Sequence, residues 1–229
     1  MTGKIALVTG ANGGLGTHVM HALLDADYLV VGLAPKIQSS DFDHPHFTAL
    51  PASLDSLDAA RKATETVIAH FGRIDVLAHL VGGFAGGPSV AETDDATFRR
   101  MFDLNLNSSL HILRAVIPHM RKAGAGRIVA IGSRAAEEPG PGVGAYSASK
   151  AALVSLMRTV ALENKAVGIR ANVILPGTMD TPANRKDMPG ADVSQWVQPG
   201  SVASLIVWLA GDAGKDVTGA AIPVYGEGL

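Results

Sequence analysis

The chain has 229 residues, 47% hydrophobic and 17% charged, with 26 glycines, 5% aromatics and a formal net charge of −2. That length and balance suit one large folded domain, expected over residues 1–229, and exclude a disordered chain. A basic nucleic-acid-binding face is not expected, and the lack of cysteine excludes disulfides, thiolate catalysis and zinc–thiolate sites.

The first apolar run, Ile5-Ala6-Leu7-Val8, is too short for a signal core or a membrane span, and no other stretch reaches membrane length. A cytoplasmic protein with no membrane contact is therefore expected. Strand-like runs fall at residues 5–9, 28–33, 46–50, 74–81, 127–132, 170–175 and 220–225. Helix-like segments lie at 14–26, 55–71, 94–122, 146–165 and 200–210. The strands are apolar nearly throughout rather than alternating, as strands covered on both faces are. Strand–helix alternation predicts an α/β fold: a Rossmann-like, doubly wound parallel sheet of about seven strands in a three-layer α/β/α sandwich. Two irregular stretches follow strand ends, where such sheets bind ligands: Gly82 to Pro88, and Pro176 to Pro199. The second reads as a substrate lid, around residues 177–199.

The first strand ends in Thr9-Gly10-Ala11-Asn12-Gly13-Gly14-Leu15-Gly16, and a helix follows. Glycines there permit a sharp turn and close approach to a pyrophosphate, while the helix N-terminus offers free N–H groups. Gly10, Asn12, Gly13, Gly14, Leu15 and Gly16 are thus candidate cofactor-binding residues. The second strand ends Gly32-Leu33-Ala34-Pro35-Lys36, with no acid at its tip to receive a ribose 2′-hydroxyl. Ala34 and Lys36 would meet the adenosine ribose. Lys36 could attract a 2′-phosphate, so the reading favours NADP, with NAD the alternative.

Tyr146 and Lys150 stand four apart, on one face of a helix. A nearby ammonium is expected to lower a tyrosine pKa and make Tyr146 an acid/base group. Ser133, thirteen residues earlier, ends the fifth strand, where its hydroxyl could bind a substrate oxygen. Asn105 sits in an apolar helical setting with Met101, Leu104, Leu106 and Leu110, and needs a partner if buried. Pro176-Gly177 follows the sixth strand, with Thr181 close behind.

On these residues the chain resembles the short-chain dehydrogenase/reductase family over essentially its full length. The matching signatures are Thr9-Gly10-x-x-x-Gly14-x-Gly16, Asn105, Ser133, Tyr146-x-x-x-Lys150 and Pro176-Gly177-x-x-x-Thr181. The resemblance implies hydride transfer between NAD(P) and a small carbonyl or alcohol substrate. It gives Tyr146 the proton transfer, Ser133 the polarisation of the carbonyl, and Lys150 the tuning of Tyr146 and the nicotinamide ribose. Asn105 would hold a water relaying protons to Lys150. Val81, Gly82, Pro176, Gly177, Thr178, Met179 and Thr181 would line the nicotinamide end. A homo-oligomer, dimer or tetramer, is also implied.

The chain departs from the family at His79-Leu80-Val81-Gly82, where Asn-Asn-Ala-Gly is usual, and at Leu50-Pro51-Ala52-Ser53, which lacks the usual acid. The segments Gly82 to Gly87 and Leu175 to Pro189 resemble dihydropteridine reductase more narrowly. That enzyme has tryptophan where Phe84 stands, aspartate where Ala34 stands and no serine at the position of Ser133. Reduction of a quinonoid pterin is one alternative function; a non-catalytic NAD(P)-binding sensor or scaffold is another. Phe84, Arg134, Asn184, Met188 and Trp196 are the candidate substrate residues. Asp41, Asp43, His44 and His46 cluster in one loop, but no metal-ligand motif accompanies them, and no metal is expected.

Overall fold

The computed structural model describes residues 3–227. Seven strands form one sheet: β1 (Ile5–Thr9), β2 (Leu29–Ala34), β3 (Phe47–Pro51), β4 (Val76–His79), β5 (Gly126–Ile131), β6 (Ile169–Pro176) and β7 (Ala221–Val224). Their order is β3-β2-β1-β4-β5-β6-β7, and every pairing is parallel. Every residue of β1, β2 and β4 is buried, which accounts for their unbroken apolar runs.

The helices are α1 (Gly16–Asp25), α2 (Leu57–Phe71), α3 (Asp95–Phe102), α4 (Ser108–Ala123), α5 (Gly144–Asn164), α6 (Pro182–Asp187) and α7 (Pro199–Ala210). One core packs α2, α4 and α5 on one sheet face, through residues such as Val67, Ile112 and Leu153 against Leu7, Leu77 and Ile128. The other packs α1 and α7 on the opposite face, through Val19, Leu23, Val202 and Ile206 against Ala6, Val8 and Val129. The expected three-layer, doubly wound architecture is what the chain adopts. No helix among the described residues is long and apolar enough to cross a membrane.

Local signals set the element ends. Ser56 caps α2 by accepting the Ala59 N–H, and Gly72 (φ 77°) ends that helix in the left-handed conformation. Asp94 caps α3 through the Thr97 N–H at 2.7 Å. Most ends fall within two residues of expectation, and two differences bear on the site. The single helix expected over residues 94–122 is interrupted by a π-helical turn at Asp103–Asn107. The fourth strand ends at His79 rather than at residue 81, because the Leu80 N–H turns to the Thr9 carbonyl (3.2 Å) and hydroxyl (3.2 Å).

Connections leave β1 toward β2 and β4 toward β5, so the chain diverges to opposite sides between β1 and β4. The crevice outside those two strand ends is where this topology holds its ligand. Leu77, wholly buried in central β4, anchors the sheet beneath it. Leu77→Ala should lower unfolding free energy by about 3 kcal/mol, read from urea titrations. A loss below about 1 kcal/mol would contradict a close-packed sheet centre.

Candidate active site

A cavity of about 1270 Å³ opens at this crevice. One end is lined by the turn after β1, including Gly10, Asn12, Gly13, Gly14, Leu15 and Gly16. Gly10 has φ 70°, and a Cβ there would lie 3.3 Å from the backbone at Leu80 and Val81, so the turn calls for glycine. α1 starts with no side-chain cap, unlike α2 and α3. Its first N–H groups and positive dipole end therefore face the cavity, which suits a dinucleotide pyrophosphate.

The catalytic candidates gather at the other end. Tyr146 and Lys150 lie on the first turns of α5, and Ser133 follows β5. Ser133 lines the cavity beside Tyr146 and acts to lower its pKa. Lys150, 5% exposed, donates from Nζ to the Ile131 carbonyl at 2.8 Å. Burial pulls its pKa down to about 8. The Tyr146 pKa moves opposite to expectation: burial raises it, and Ser133 offsets that in part. The Lys150 ammonium is turned toward the Ile131 carbonyl, and desolvation outweighs any help it gives the phenolate.

Asn105 is wholly buried in the π-helical turn. Its Oδ1 accepts the Gly83 N–H at 2.9 Å, while Nδ2 donates to the Gly83 carbonyl and the Ser149 hydroxyl, each at 3.0 Å. A Cβ on Gly82 would lie 2.8 Å from Asn105 Oδ1 and 3.0 Å from Lys150 Nζ. Glycine at 82 thus lets the backbone pass between the buried amide and the buried ammonium. The extra residue of the π turn is where this amide enters the site, a common location for such turns.

His79 stands where the family has asparagine. It is buried, with Nδ1 2.8 Å from the Thr9 hydroxyl oxygen. That hydroxyl also accepts the Leu80 N–H at 3.2 Å. Nε2 has no hydrogen-bond partner. Burial, reinforced by the Lys150 charge, drives the His79 pKa down to about 3 and keeps the ring neutral.

The segment after β6 folds back over the cavity. Val197 N–H donates to the Thr178 carbonyl at 2.8 Å and Asp180 N–H to the Val197 carbonyl at 2.9 Å, closing a loop that contains α6. Thr181 lies against Gly14, 3.0 Å from where its Cβ would be. Asn184 donates from Nδ2 to the Met179 carbonyl at 2.8 Å, so this candidate substrate residue holds the lid's own backbone.

The cavity brings together Ser133, Tyr146, Lys150, Pro176, Gly177, Thr178, Met179 and Thr181 with the turn, and also Gly82, Phe84, Arg134, Asn184, Met188 and Trp196. Asn105 stands behind it. Ala34 is buried in the core, Val81 packs against the other core, and Lys36 is exposed beyond β2, so these three do not line it. Sequence reasoning passed over Tyr225, Val143, Asp187 and Gln195, all of which line the cavity. Tyr225 is 220 places from β1 in a run read simply as a strand; no local pattern marks it. Arg134 links it to the site: the guanidinium sits 4.9 Å over the Tyr225 ring and pairs with Glu138 at 2.7 Å. The Asp41–His46 loop holds no metal cluster, and none of three or more ligating side chains occurs among the described residues.

Comparison with known proteins adds an independent finding. The model of the family described as short chain dehydrogenase matches residues 4–191. Acetoacetyl-CoA reductase of Acinetobacter sp. is 30% identical, over 97% of this chain and 96% of that protein. The 7alpha-hydroxysteroid dehydrogenase of Escherichia coli K12 is 29% identical, over 100% of this chain and 95% of its own. The crystal structure of gox2181 superposes with a TM-score of 0.91 at 26% identity, covering 98% of this chain and 95% of that one.

His79 makes the pH dependence of stability testable. An unfolded histidine binds a proton below about pH 6.5, whereas the buried ring stays neutral down to about 3. Between those values the unfolded chain binds the extra proton, so native stability falls as pH falls. From pH 7 to about 4.5 this should remove roughly 2 to 3 kcal/mol, and His79→Asn should abolish that part of the slope in urea titrations. Parallel slopes for the two proteins would contradict a neutral buried imidazole.

Proposed function

The chain belongs to the short-chain dehydrogenase family and is an NAD(P)-dependent oxidoreductase, and we propose that it interconverts a small carbonyl compound and its alcohol with Tyr146 as the proton-transferring group. The observation that carries this reading is that Ser133, Tyr146 and the buried Lys150 line one cavity together with the glycine turn.

In the reducing direction a reduced nicotinamide, when bound, would be the source of the hydride that the carbonyl carbon receives. Tyr146 gives its phenolic proton to the carbonyl oxygen and is reprotonated from solvent. Ser133, beside Tyr146 in the cavity lining, holds and polarises that oxygen. Lys150 is the cation beside the phenolate that forms; with one N–H on Ile131, its others serve the nicotinamide ribose. Asn105 is a positioning residue. Both protons of its Nδ2 are committed to Gly83 and Ser149, so its side chain has no N–H left to donate to a relay water. Gly10 through Gly16 hold the pyrophosphate, and Gly82, Pro176, Gly177, Thr178, Met179 and Thr181 enclose the nicotinamide.

The segment 177–199 serves as the lid of one domain spanning the chain. We read the protein as a cytoplasmic carbonyl reductase that assembles as a homo-oligomer, the assembly supported by the exposed Phe98, Leu110 and Leu162 on α3, α4 and α5. A serine at 133 in the cavity lining separates this site from dihydropteridine reductase, so the pterin reading is not carried further. NADP is the preferred cofactor: Lys36 is exposed just beyond β2 and Ala34 places no acid there.

Tyr146→Phe should leave NADPH binding intact while kcat falls a hundredfold or more, about the range general acid catalysis supplies. Equal turnover in variant and wild type would remove Tyr146 from the chemistry. Lys150→Ala should weaken both binding and turnover. Lys36→Glu should shift the kcat/KM ratio for NADPH over NADH by about tenfold toward NADH; an unchanged ratio would place 2′-phosphate recognition elsewhere.

A further inference from the structure

The catalytic end of the cavity concentrates the chain's rings. The sequence holds only six Phe, three Tyr and two Trp, yet Phe84, Tyr146, Trp196 and Tyr225 all line this one space. Phe84 is the most informative. It is 64% exposed, and nevertheless held in place. Its ring meets Tyr146 edge-on, 5.0 Å between centroids at 73°. Its Cζ lies 2.8 Å from where a Cβ on Gly86 would stand, so the loop folds closely around the ring. That loop is fastened at both ends, by Asn105 on Gly83 and by the Gly87 N–H on the Gly142 carbonyl at 2.9 Å. A fixed aromatic face open to solvent beside the proton donor is a preorganised surface for another flat group.

Charge narrows the class further. Arg134 is already paired with Glu138 at 2.7 Å and covered on one side by Tyr225. Glu138 and Asp187 add carboxylates to the lining. An anionic substrate would meet a guanidinium already balanced by Glu138 and, in Asp187, one further acid, whereas an uncharged polar substituent could bond to either member of the pair.

We infer that the substrate is an uncharged ketone whose carbonyl belongs to a ring or is joined directly to one, with that ring packed against Phe84. This rests on the proposed hydride-transfer reading of the same site. A flexible chain would lose rotational freedom on entering and offer no face to the Phe84 ring; a cyclic ketone brings its shape already set.

The test is binding without turnover, in the full-length protein saturated with NADP+ or NAD+. Calorimetry compares β-tetralone, a fused-ring ketone, with a straight-chain methyl ketone of the same carbon count. β-Tetralone is expected to bind at least about fivefold more tightly, the scale of one aromatic pair. Phe84→Leu, which keeps apolar bulk and removes the ring, should bring the two affinities together, while Phe84→Trp should preserve the gap. Equal binding in the wild type, a gap unchanged by Phe84→Leu, or no measurable binding of β-tetralone would each overturn the inference. A β-tetralone bearing a carboxylate that binds tenfold more tightly than its parent would overturn the neutral class. None of these results touches the hydride-transfer reading, which fails separately if turnover of ketones survives Tyr146→Phe.

Discussion

A lysine ammonium at 5% exposure is the constraint around which the site is arranged. Removing such a charge from water is costly unless its donors find acceptors, and the Ile131 carbonyl supplies one at 2.8 Å. The carbonyl is the last of β5, so the charge is tied to the sheet itself. The opposite wall is backbone rather than side chain, because a Cβ at 82 would stand 3.0 Å from Nζ. That backbone is held by Asn105, whose amide reads both polar groups of the Gly83 peptide. Asn105 reaches it from a π-helical turn, and its remaining N–H rests on Ser149, the residue before Lys150. Burial of one cation thus explains a glycine, an irregular helix and a buried amide.

The cofactor turn depends on a second fastening. Where β1 and β4 part, the Thr9 hydroxyl joins His79 and the Leu80 N–H, and Gly10 begins its turn one residue later. Asparagine, usual in the family, is an uncharged amide; an imidazole fills the position only if it stays neutral. Burial and the Lys150 charge enforce that neutrality. The two groups are therefore coupled, since each charge makes the other more costly. The unpartnered Nε2 is the part of this substitution that the neighbouring side chains leave unsatisfied.

What was legible in the sequence was what local physics dictates. Largely apolar runs located all seven strands, and the spacing of Tyr146 and Lys150 placed both on one face of α5. Glycines at 10, 13, 14 and 16 identified the turn because few other arrangements need them. The rest depends on tertiary contacts. Residues 94–122 carry a helical pattern that cannot show the extra residue of the π turn, which exists because Asn105 must reach Gly83. The expected lowering of the Tyr146 pKa followed from spacing, but spacing does not report where Nζ points or how deeply the phenol is buried. Tyr225 joins the site only through sheet order, which brings the last strand's end beside Arg134. Ala34 and Val81 were candidates by position along the motif, and the structure turns both into packing.

The direction of the Tyr146 shift bears on how the site works. A phenol whose pKa is raised by burial holds its proton at neutral pH and is the form from which carbonyl reduction starts. Removing that proton leaves an anion in a desolvated cleft, and the groups near it must then carry the charge. Ser133 lowers the cost. Lys150 is itself weakened as a cation, with a pKa of about 8, so it still holds its charge near neutrality but loses it in mild alkali. The same burial that keeps Tyr146 protonated therefore limits the pH range over which Lys150 carries its charge. A narrow alkaline edge to activity is the expected consequence of placing both groups in one dry cleft, and it would belong to Lys150 rather than to Tyr146.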